Sequence, residues 1–375
     1  MKKVIVIGGG ISGASTAYQL TKLSAGVTVT IIDRKDPGQA TDAAAGIICP
    51  WLSQRRNQAW YQLVKKGARF YSQLIAELEK DGEKQTGYKK VGALCIHTDV
   101  EKLAKMEQRA EKRRQDAPEI GKLTPLSSNE TRELFPPLAS HYLSLHVEGA
   151  ARVDGRALRD ALLRAAQKNG ASLIRGSASL LYKGKQVTGV LADGEAIAAD
   201  IVIVCAGAWT NQLLAPLGVH FLGTFQKGQI VHLKLPNTPT NHWPVIMPPN
   251  DQYMLTLEDH RIIVGATHEN DLDQFDTRVT AGGLFEVIQK ALAVAPGLEN
   301  STLLEARAGF RPYTPGSLPV IGPLPEWEGI LLANGLGATG LTMGPFIGNQ
   351  LAKLALGLKL EIDLALYDVK GALGK

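Results

Sequence analysis

The chain has 375 residues, of which 45% are hydrophobic and 21% are charged, and its formal net charge is +5. This apolar fraction is ample for a folded core, and the length indicates one large domain or two interleaved domains. No apolar run approaches the ~18 residues that a membrane-spanning helix needs, and the stretch after Lys2 and Lys3 reaches glycines too soon for a secretory signal. We therefore expect a cytoplasmic globular protein with no transmembrane segment.

Charge patterning and cysteine spacing exclude further classes. The most basic segment, Lys102–Arg114, intersperses glutamates at helical spacing, which is typical of a solvated helix face and not of a nucleic-acid patch. Cys49, Cys95 and Cys205 are far apart in sequence and form no Cys-x-x-Cys pair, which argues against a disulfide framework and a thiolate metal site. We expect neither a nucleic-acid partner nor a bound metal.

The first elements in chain order form a βαβ pattern. Lys3–Ile7 is a β-branched run, Ile11–Leu23 has helical periodicity, and Val27–Ile32 alternates like a second strand. Between the first strand and the helix, GGGISG satisfies G-x-G-x-x-G, where backbone N–H groups and the helix dipole hold a pyrophosphate. Asp33 ends the second strand at the spacing of an acid that binds a ribose hydroxyl.

The later elements indicate two different sheets. Buried-strand or extended patterns recur at Ala171–Ser177, Ile201–Cys205 and Gly329–Ala333, after helical stretches at Trp60–Lys80 and Asp154–Gly170. From Gly223 to Ala266 the pattern changes to strands with short turns, as in Tyr253–Leu257 followed by Arg261–Val264. A glycine-rich turn near the end leads into a helix with Phe346, Ile347, Leu351 and Leu354 on one face.

These patterns predict an α/β fold with two parts. The first is a Rossmann-like dinucleotide-binding domain with a parallel central sheet, built discontinuously from residues 1–87, 147–220 and 313–375. The second is an α+β substrate domain with a largely antiparallel sheet, built from residues 88–146 and 221–312.

The fingerprint itself fits either NAD or FAD, and three later segments favour FAD. Thr41–Gly46 is a run of small residues that permits close approach to a flat ring, and Ile201–Trp209 is a hydrophobic strand that ends in a glycine turn. Gly335–Gly344 is a third glycine-rich strand-to-helix turn, suited to directing helix N–H groups at a ring edge. Each segment alone is compatible with ordinary sheet packing, but together they are hard to explain in an NAD domain.

In their order along the chain, these segments resemble the D-amino-acid oxidase superfamily of flavoproteins, which includes glycine oxidase, sarcosine oxidase and D-amino-acid dehydrogenase. The resemblance covers essentially the whole chain, through GGGISG, IIDR, TDAAAGI, VDGRAL, IVCAGAW, QKGQ, RIIVGAT, GFRPYTPGSLPVIG and NGLGATGLTMGP. It implies FAD bound in an extended conformation, with the antiparallel sheet over one flavin face. It also implies non-covalent binding, because covalent members attach flavin through a cysteine where this chain has Arg311.

The resemblance further implies which residues contact FAD. The pyrophosphate contacts are Gly8, Gly10, Ile11, Ser12 and Gly13, and the adenosine contacts are Asp33, Arg34 and, through its backbone, Ala178. The contacts with the ring system are Ala45, Gly46 and Ile47, and those with its pyrimidine edge are Gly335, Gly337, Ala338, Thr339, Gly340, Leu341 and Thr342. Further cofactor contacts are Ala206, Gly207 and Trp209.

Two residues are candidates for binding substrate. Arg311 matches the segment from which related enzymes present a carboxylate-binding arginine, and Pro312 after it favours an extended backbone. A planar guanidinium suits bidentate recognition of a carboxylate. Tyr253 matches a tyrosine that hydrogen-bonds substrate, whereas His268, near the expected opening of the substrate site, has the context of a surface residue.

Two departures from the family pattern bear on the chemistry. Leu336 stands where the glycine oxidase and D-amino-acid dehydrogenase groups often have a histidine, which leaves the local flavin contact open. Ile263 stands where sarcosine oxidase has a lysine that is used in oxygen activation. The electron acceptor, oxygen or another carrier, therefore stays open, as do substrate stereochemistry and oligomeric state.

The predicted function is FAD-dependent oxidation of the C–N bond of a small amino acid or an N-substituted glycine, by hydride transfer to flavin. Two alternatives remain. A relative that oxidises 2-hydroxyacids would want a base for the hydroxyl, and no histidine is well placed to serve. The other is a flavin-binding subunit that does not turn over by itself. Bleaching of the flavin by amines, by hydroxyacids or by neither would separate the three.

Overall fold

The computed structural model describes residues 1–270, 272 and 274–374. Its α-helices are α1 (Ile11–Leu23), α2 (Gln58–Lys80), α3 (Val100–Arg114), α4 (Ser128–Leu134), α5 (Gly155–Lys168), α6 (Thr210–Leu214), α7 (Ala281–Val294) and α8 (Gly340–Ala355). Its strands are β1 (Lys2–Ile7), β2 (Val27–Asp33), β3 (Ile47–Ile48), β4 (Lys89–Lys90), β5 (Ala93–His97), β6 (Leu123–Leu126), β7 (Leu143–Val147), β8 (Ala151–Arg152), β9 (Ser172–Arg175), β10 (Ala178–Lys183), β11 (Gln186–Ala192), β12 (Glu195–Ala198), β13 (Ile201–Val204), β14 (Thr224–Lys234), β15 (Val245–Met247), β16 (Tyr253–Thr256), β17 (Arg261–Gly265), β18 (Thr302–Tyr313), β19 (Val320–Pro323) and β20 (Ile330–Asn334).

The first sheet has the strand order β19-β20-β13-β1-β2-β9, and only the β19–β20 pair is antiparallel. Its strands come from the beginning, middle and end of the chain, which confirms the prediction of a parallel sheet assembled from three parts. The central strands are apolar because helices or loops cover both faces; Val6, Ile31 and Ile203 are completely buried. Helix α1 packs against α5 and α8 on one side.

The second sheet has eight strands in the order β18-β14-β17-β16-β15-β5-β7-β6. It is largely antiparallel, as predicted, but β15 pairs with β5 in parallel through Val245↔Ala93. Helix α7 covers one face, where its Val287 packs with Val231 and Val264. The long β14–β18 ladder places Gln226 opposite Arg311. The two sheets together confirm the predicted α/β fold class.

Two small three-stranded sheets complete the fold. One has the order β10-β11-β12, and the other, β3-β8-β4, joins Ile47 to Arg152. Strands of only two residues leave no alternation pattern in a sequence, so the second of these sheets could not be predicted. The domain limits given above stay a prediction.

Two cysteines that are far apart in sequence lie together in the structure. The Cys95 thiol is buried and contacts the Cys49 thiol, and this hydrogen bond, followed by burial, raises the pKa of Cys95 well above its ordinary value. Cys49, Cys95 and Cys205 are all free thiols. No described helix is both long enough and apolar enough to cross a membrane.

Candidate active site

A cleft of about 220 Å³ lies where the carboxyl ends of β1, β2, β13 and β20 meet. Ligands bind at this edge of open α/β sheets, because the loops that follow the strands diverge there. Twelve of the residues predicted to contact FAD line the cleft: Gly8, Gly10, Ile11, Ser12, Asp33, Arg34, Ala178, Ala206, Gly207, Trp209, Gly337 and Gly340.

The other predicted contacts do not line this cleft. They are Gly13, Ala45, Gly46, Ile47, Gly335, Ala338, Thr339, Leu341 and Thr342. The structure nevertheless joins the loop before β3 to the start of α8, since the Thr342 hydroxyl donates to the Ile47 carbonyl oxygen at 3.0 Å. Gly46 has φ +94° and packs so closely on Val153 that a Cβ would lie 1.8 Å from its carbonyl oxygen.

The turn between β1 and α1 has the geometry that a pyrophosphate requires. Gly8 has φ +101°, and a Cβ there would lie 2.3 Å from the Cys205 carbonyl oxygen, so only glycine fits. Gly10 is the N-cap of α1 and offers no side-chain acceptor to the first turn, which contains no acidic residue. The positive end of the helix dipole therefore faces the cleft, although the first helical N–H, that of Ile11, already donates to the Thr41 hydroxyl at 3.0 Å.

The start of α8 repeats this arrangement at the other side of the cleft. Its N-cap, Thr339, makes no side-chain capping bond, and its first turn has no acidic residue. Gly340, the first helical residue, lines the cleft. The donor sets at the two helix ends thus fit an extended ligand with an anionic group in its middle and an electron-accepting ring at one end, as FAD has.

Asp33 is held in place at the cleft wall. Its side chain is 6% exposed; Oδ1 accepts from Gln39 Nε2 at 3.0 Å, and Oδ2 pairs with Arg175 Nη1 at 3.0 Å. Arg34 instead pairs with Asp36 at 2.9 Å. Gln39 and Arg175 carry no motif of their own, and sequence reasoning missed both of them.

Four aromatic rings connect the cleft to the second sheet. Phe275 stacks on Trp209 at 4.9 Å between ring centroids and on Phe225 at 4.5 Å, and Phe310 meets Phe275 edge-on at 5.2 Å. Trp209 and Phe310 also line the cleft. Sequence reasoning missed Phe310 because the alternation of β18 does not say which face meets the other sheet.

Arg311 lies on β18 as the extended backbone before Pro312 predicts. Its Nη1 donates to Gln226 Oε1 at 2.8 Å and to the Thr267 carbonyl oxygen at 3.2 Å. The guanidinium lies over Gly228, where a Cβ would be 2.6 Å from Nη2. Within residues 1–270, 272 and 274–374, no carboxylate lies within 4.0 Å of this half-buried cation.

The structure brings the second predicted substrate residue, Tyr253, to Arg311. The two side chains are close enough to interact electrostatically. Burial raises the pKa of Tyr253, and the Arg311 charge only partly offsets this, so the phenol stays protonated at neutral pH. Gly265 leaves room for the phenol, because a Cβ there would be 2.9 Å from its oxygen.

His268 lies at the outer edge of this group. Its side chain is 39% exposed, with Nδ1 3.6 Å from Asp251 Oδ2. Burial, followed by the nearby Arg311 charge, lowers the pKa of His268. His268 is on the surface, as expected, but its pKa also depends on the charge of Arg311.

The face of β18 that carries Arg311 meets the loop of the first domain. A Cβ on Gly309 would lie 2.6 Å from the Ala43 Cβ, and Arg307 Nη1 donates to the Asp42 carbonyl oxygen at 3.3 Å. Because side chains on a strand alternate, Arg311 and Gly309 point to the same side. The predicted substrate residues therefore face the segment that leads into Ala45, Gly46 and Ile47.

The two residues that depart from the family pattern, Leu336 and Ile263, are apolar side chains that are buried in the structure. Leu336 lines the cleft and is 8% exposed, and Ile263 is buried in β17.

A buried lysine does exist on the sheet: Lys227 Nζ lies 3.4 Å from Asp276 and 3.7 Å from Glu269. Sequence reasoning missed this ion cluster. The described residues contain no group that could hold a metal ion.

Comparison with known proteins places the chain in a family. The family model for FAD-dependent oxidoreductases matches residues 3–354. The chain is 62% identical to the uncharacterized oxidoreductase YurR of Bacillus subtilis over 373 residues, covering 100% of both. It is 29% identical to the glycine oxidase of Pseudomonas putida over 382 residues, again covering 100% of both.

A solved structure gives the same result. The iminodiacetate oxidase of Chelativorans sp. BNC1 superposes with a TM-score of 0.93 at 46% sequence identity, over 97% of this chain and 98% of that one. Fold, dinucleotide cleft and family match agree with one another. The chain therefore belongs to the FAD-dependent oxidoreductase family, and FAD is its cofactor.

Proposed function

We propose that this protein oxidises the C–N bond of an N-substituted glycine or small amino acid, and that Arg311 binds the substrate carboxylate. The observation that carries the proposal is the Arg311 guanidinium itself. It is half-buried, faces the flavin loop, contacts Tyr253 and has no carboxylate partner in the described part of the chain. A buried guanidinium without a counter-ion is costly, and a bound carboxylate would offset that cost.

The relatives support this choice of substrate. Glycine and iminodiacetate, named in two of the related oxidases, both have an amine nitrogen one carbon from a carboxylate. If Arg311 anchors the carboxylate, the carbon between the carboxylate and the amine nitrogen lies at a defined distance from Arg311. Orientation of this kind is what a protein contributes to a reaction whose chemistry belongs to the cofactor.

The cleft residues divide the binding of the cofactor among them. We assign the pyrophosphate to the turn Gly8–Gly13 and the adenosine to Asp33, Arg34 and Ala178. Bound flavin would be held by Ala45–Ile47 and the turn Gly335–Thr342, and Ala206, Gly207 and Trp209 would provide further cofactor contacts in the cleft. Support comes from the two helix starts, whose N-cap residues provide no side-chain acceptor, and from the glycines that permit close approach.

In the reaction, bound FAD supplies the hydride acceptor. The substrate C–H bond breaks, its hydrogen leaves with both electrons, and the nitrogen lone pair forms the C=N bond. The amine must be neutral for this, and its remaining proton passes to water; the imine then hydrolyses to an amine and a carbonyl acid. With FAD bound, the N–H groups at the start of α8 would be placed to stabilise negative charge on the ring.

Tyr253 donates a hydrogen bond to the substrate and does not act as a base. Its pKa is raised by burial, so the deprotonated form is scarce at neutral pH. The electrons then pass to oxygen or to another carrier. We further propose a cytoplasmic location, which the three free, buried thiols support, because a reducing compartment keeps cysteines in this state.

Anaerobic titration tests the proposed function. Addition of glycine, N-methylglycine or iminodiacetate to the holoenzyme is expected to bleach the flavin absorbance, and the matching hydroxyacid, glycolate, is expected to leave it unchanged. Bleaching by glycolate alone would favour the 2-hydroxyacid reaction. A flavin that no candidate reduces would point to a subunit without independent turnover.

A further inference from the structure

The site contains a second arginine that the reaction described so far does not use. We propose that Arg55 binds an anionic group on the nitrogen substituent of the substrate, so that the preferred substrates are secondary amines with an acid on each arm. This inference rests on the proposed function, because it adds a second anchor to the site of Arg311. Iminodiacetate is the simplest molecule with this chemistry.

Arg55 is a half-buried cation in the segment before α2. Its guanidinium lies over the Trp60 ring at 4.7 Å from the centroid, and Nη2 donates to the carbonyl oxygens of Gly316, at 3.3 Å, and Ser317. In the regions that the structure describes, no carboxylate lies within 4.0 Å of it. Burial lowers the pKa of Arg55, because desolvation disfavours the charged form of the guanidinium.

The position of Tyr313 relates Arg55 to Arg311. Tyr313 is two residues after Arg311 on β18, so the two side chains project from the same face, with Cα atoms ~7 Å apart. Tyr313 is also close enough to Arg55 to raise the pKa of that arginine electrostatically. Tyr313 is therefore a neighbour of both arginines, Arg55 in space and Arg311 along β18.

Tyr313 in turn marks the flavin side of the sheet. A Cβ on Gly337 would lie 2.6 Å from the Tyr313 ring, so the ring rests on the glycine turn that begins α8. The segment that follows Tyr313 packs on the same turn, since a Cβ on Gly335 would meet the Thr314 hydroxyl. Arg55 is thus next to the part of the site where the reacting carbon must lie.

The segment that carries Arg55 is held firmly. Arg113, from α3, donates to the carbonyl oxygens of Trp51 and Ser53 and lies over the Tyr61 ring at 4.4 Å. A fixed segment lowers the entropy cost of using Arg55 as a ligand-binding group.

Two neighbouring arginines that serve the fold have carboxylate partners, whereas Arg113 is held by backbone carbonyl oxygens instead. Arg159 pairs with Asp42, and Arg307 pairs with Glu305. Arg55 and Arg311 differ from them in this respect, and a ligand with two acid groups would neutralise both at once. The first acid would occupy Arg311, the oxidised C–N bond would lie between the cations, and the second acid would reach Arg55.

A purely structural Arg55 would act only through Trp60 and the two carbonyl oxygens. The variants Arg55→Gln and Arg55→Lys separate the roles, and Arg56→Gln, at the exposed next residue, is the matched control. Two non-amine probes, thiodiacetate and (methylthio)acetate, differ only in the second acid. Their Kd values are measured by the shift that they cause in the flavin spectrum of the holoenzyme.

We expect Arg55→Gln to raise the Kd of thiodiacetate on the order of 30-fold or more, because one partner of a desolvated charge pair is lost. The Kd of (methylthio)acetate should rise by less than about 3-fold. Arg55→Lys should lose less, because it keeps the charge, and Arg56→Gln should bind both probes like the wild type. With substrates, kcat/KM for iminodiacetate should fall far more than for N-methylglycine.

Equal losses for both probes in Arg55→Gln and Arg55→Lys would overturn the second anchor, as would unchanged binding of thiodiacetate. These readouts do not depend on turnover. A wild-type holoenzyme that binds thiodiacetate through Arg55 but oxidises neither iminodiacetate nor N-methylglycine would contradict the proposed reaction and leave the second anchor supported.

Discussion

At the scale of single residues, the site depends on groups whose charge state is set by burial. Tyr253 is kept protonated beside Arg311, and Arg311 is kept without a carboxylate partner among the described residues. The type and strand position of both residues could be predicted from the sequence. Their proximity could not, because β16 and β18 are separated by two strands of the sheet and by a long stretch of chain.

Removal of the Tyr253 hydroxyl tests its role as a donor. Tyr253→Phe keeps the ring that packs near Gly265 but loses the hydroxyl that we propose donates to the substrate. We expect kcat/KM for the carboxylated amine to fall about 10-fold, the cost of a hydrogen bond to a charged group, with FAD still bound. Steady-state kinetics would contradict this role if the variant matched the wild type.

His232 offers a test of stability against pH. It is fully buried on β14, and burial, followed by the Arg307 charge, lowers its pKa from 6.5 to about 4. The unfolded chain therefore takes up the proton first as pH falls below 6.5, and the folded state loses stability until about pH 4.

His232→Asn should flatten this part of the profile. Urea unfolding of the holoenzyme between pH 7 and pH 4.5 is the measurement, and the wild type should lose more stability than the variant over that interval. Parallel losses in the two proteins would show that His232 does not titrate as described.

At the scale of elements, the glycine turns could be predicted well and the sheet order only in part. Helix α1 begins and ends at the predicted residues, since the glycines before it and the loss of periodicity after Leu23 mark both ends. The parallel β15–β5 pair was not predicted, because the alternation of side chains along a strand does not indicate which other strand pairs with it. The same is true of Lys227, whose two acidic partners come from a loop.

Gly13 tests the packing of α1 on β1. A Cβ there would lie 1.9 Å from the Gly8 carbonyl oxygen, so Gly13→Val must push the helix away from the turn that we assign to the pyrophosphate. We expect the purified variant to retain no FAD, as judged by its absorbance. Gly282→Val is the control, because a Cβ at this helical glycine meets nothing within 4 Å. Normal FAD content in Gly13→Val would show that the turn is misassigned.

At the scale of the whole molecule, the active site lies where the two sheets meet. The contacts of Gly309 with Ala43 and of Arg307 with Asp42 join the substrate face to the flavin loop. The ordered motifs predicted the fold class, the cofactor and the enzyme family, and these predictions are confirmed. Distances between the two sheets could not be predicted. They depend on how the sheets pack against each other, which the hydrophobic pattern of the strands does not specify.

The mode of FAD attachment depends on where cysteines lie throughout the chain. Cys49, Cys95 and Cys205 are buried free thiols, and Arg311 stands where the covalent enzymes have their cysteine. We expect denaturation by acid or heat to release all FAD into the supernatant. Yellow colour that remained on the washed, denatured chain would contradict non-covalent binding.

The most direct test of the central claim compares matched substrates on wild type and Arg311→Ala. N-methylglycine carries the carboxylate, and dimethylamine has the same reacting C–N bond without it. Loss of one side of a desolvated charge pair should cost ~2–5 kcal/mol in kcat/KM for N-methylglycine, mainly through KM, while FAD stays bound and dimethylamine is nearly unaffected. Equal losses for the two amines would contradict the account, because Arg311 would then not bind the carboxylate.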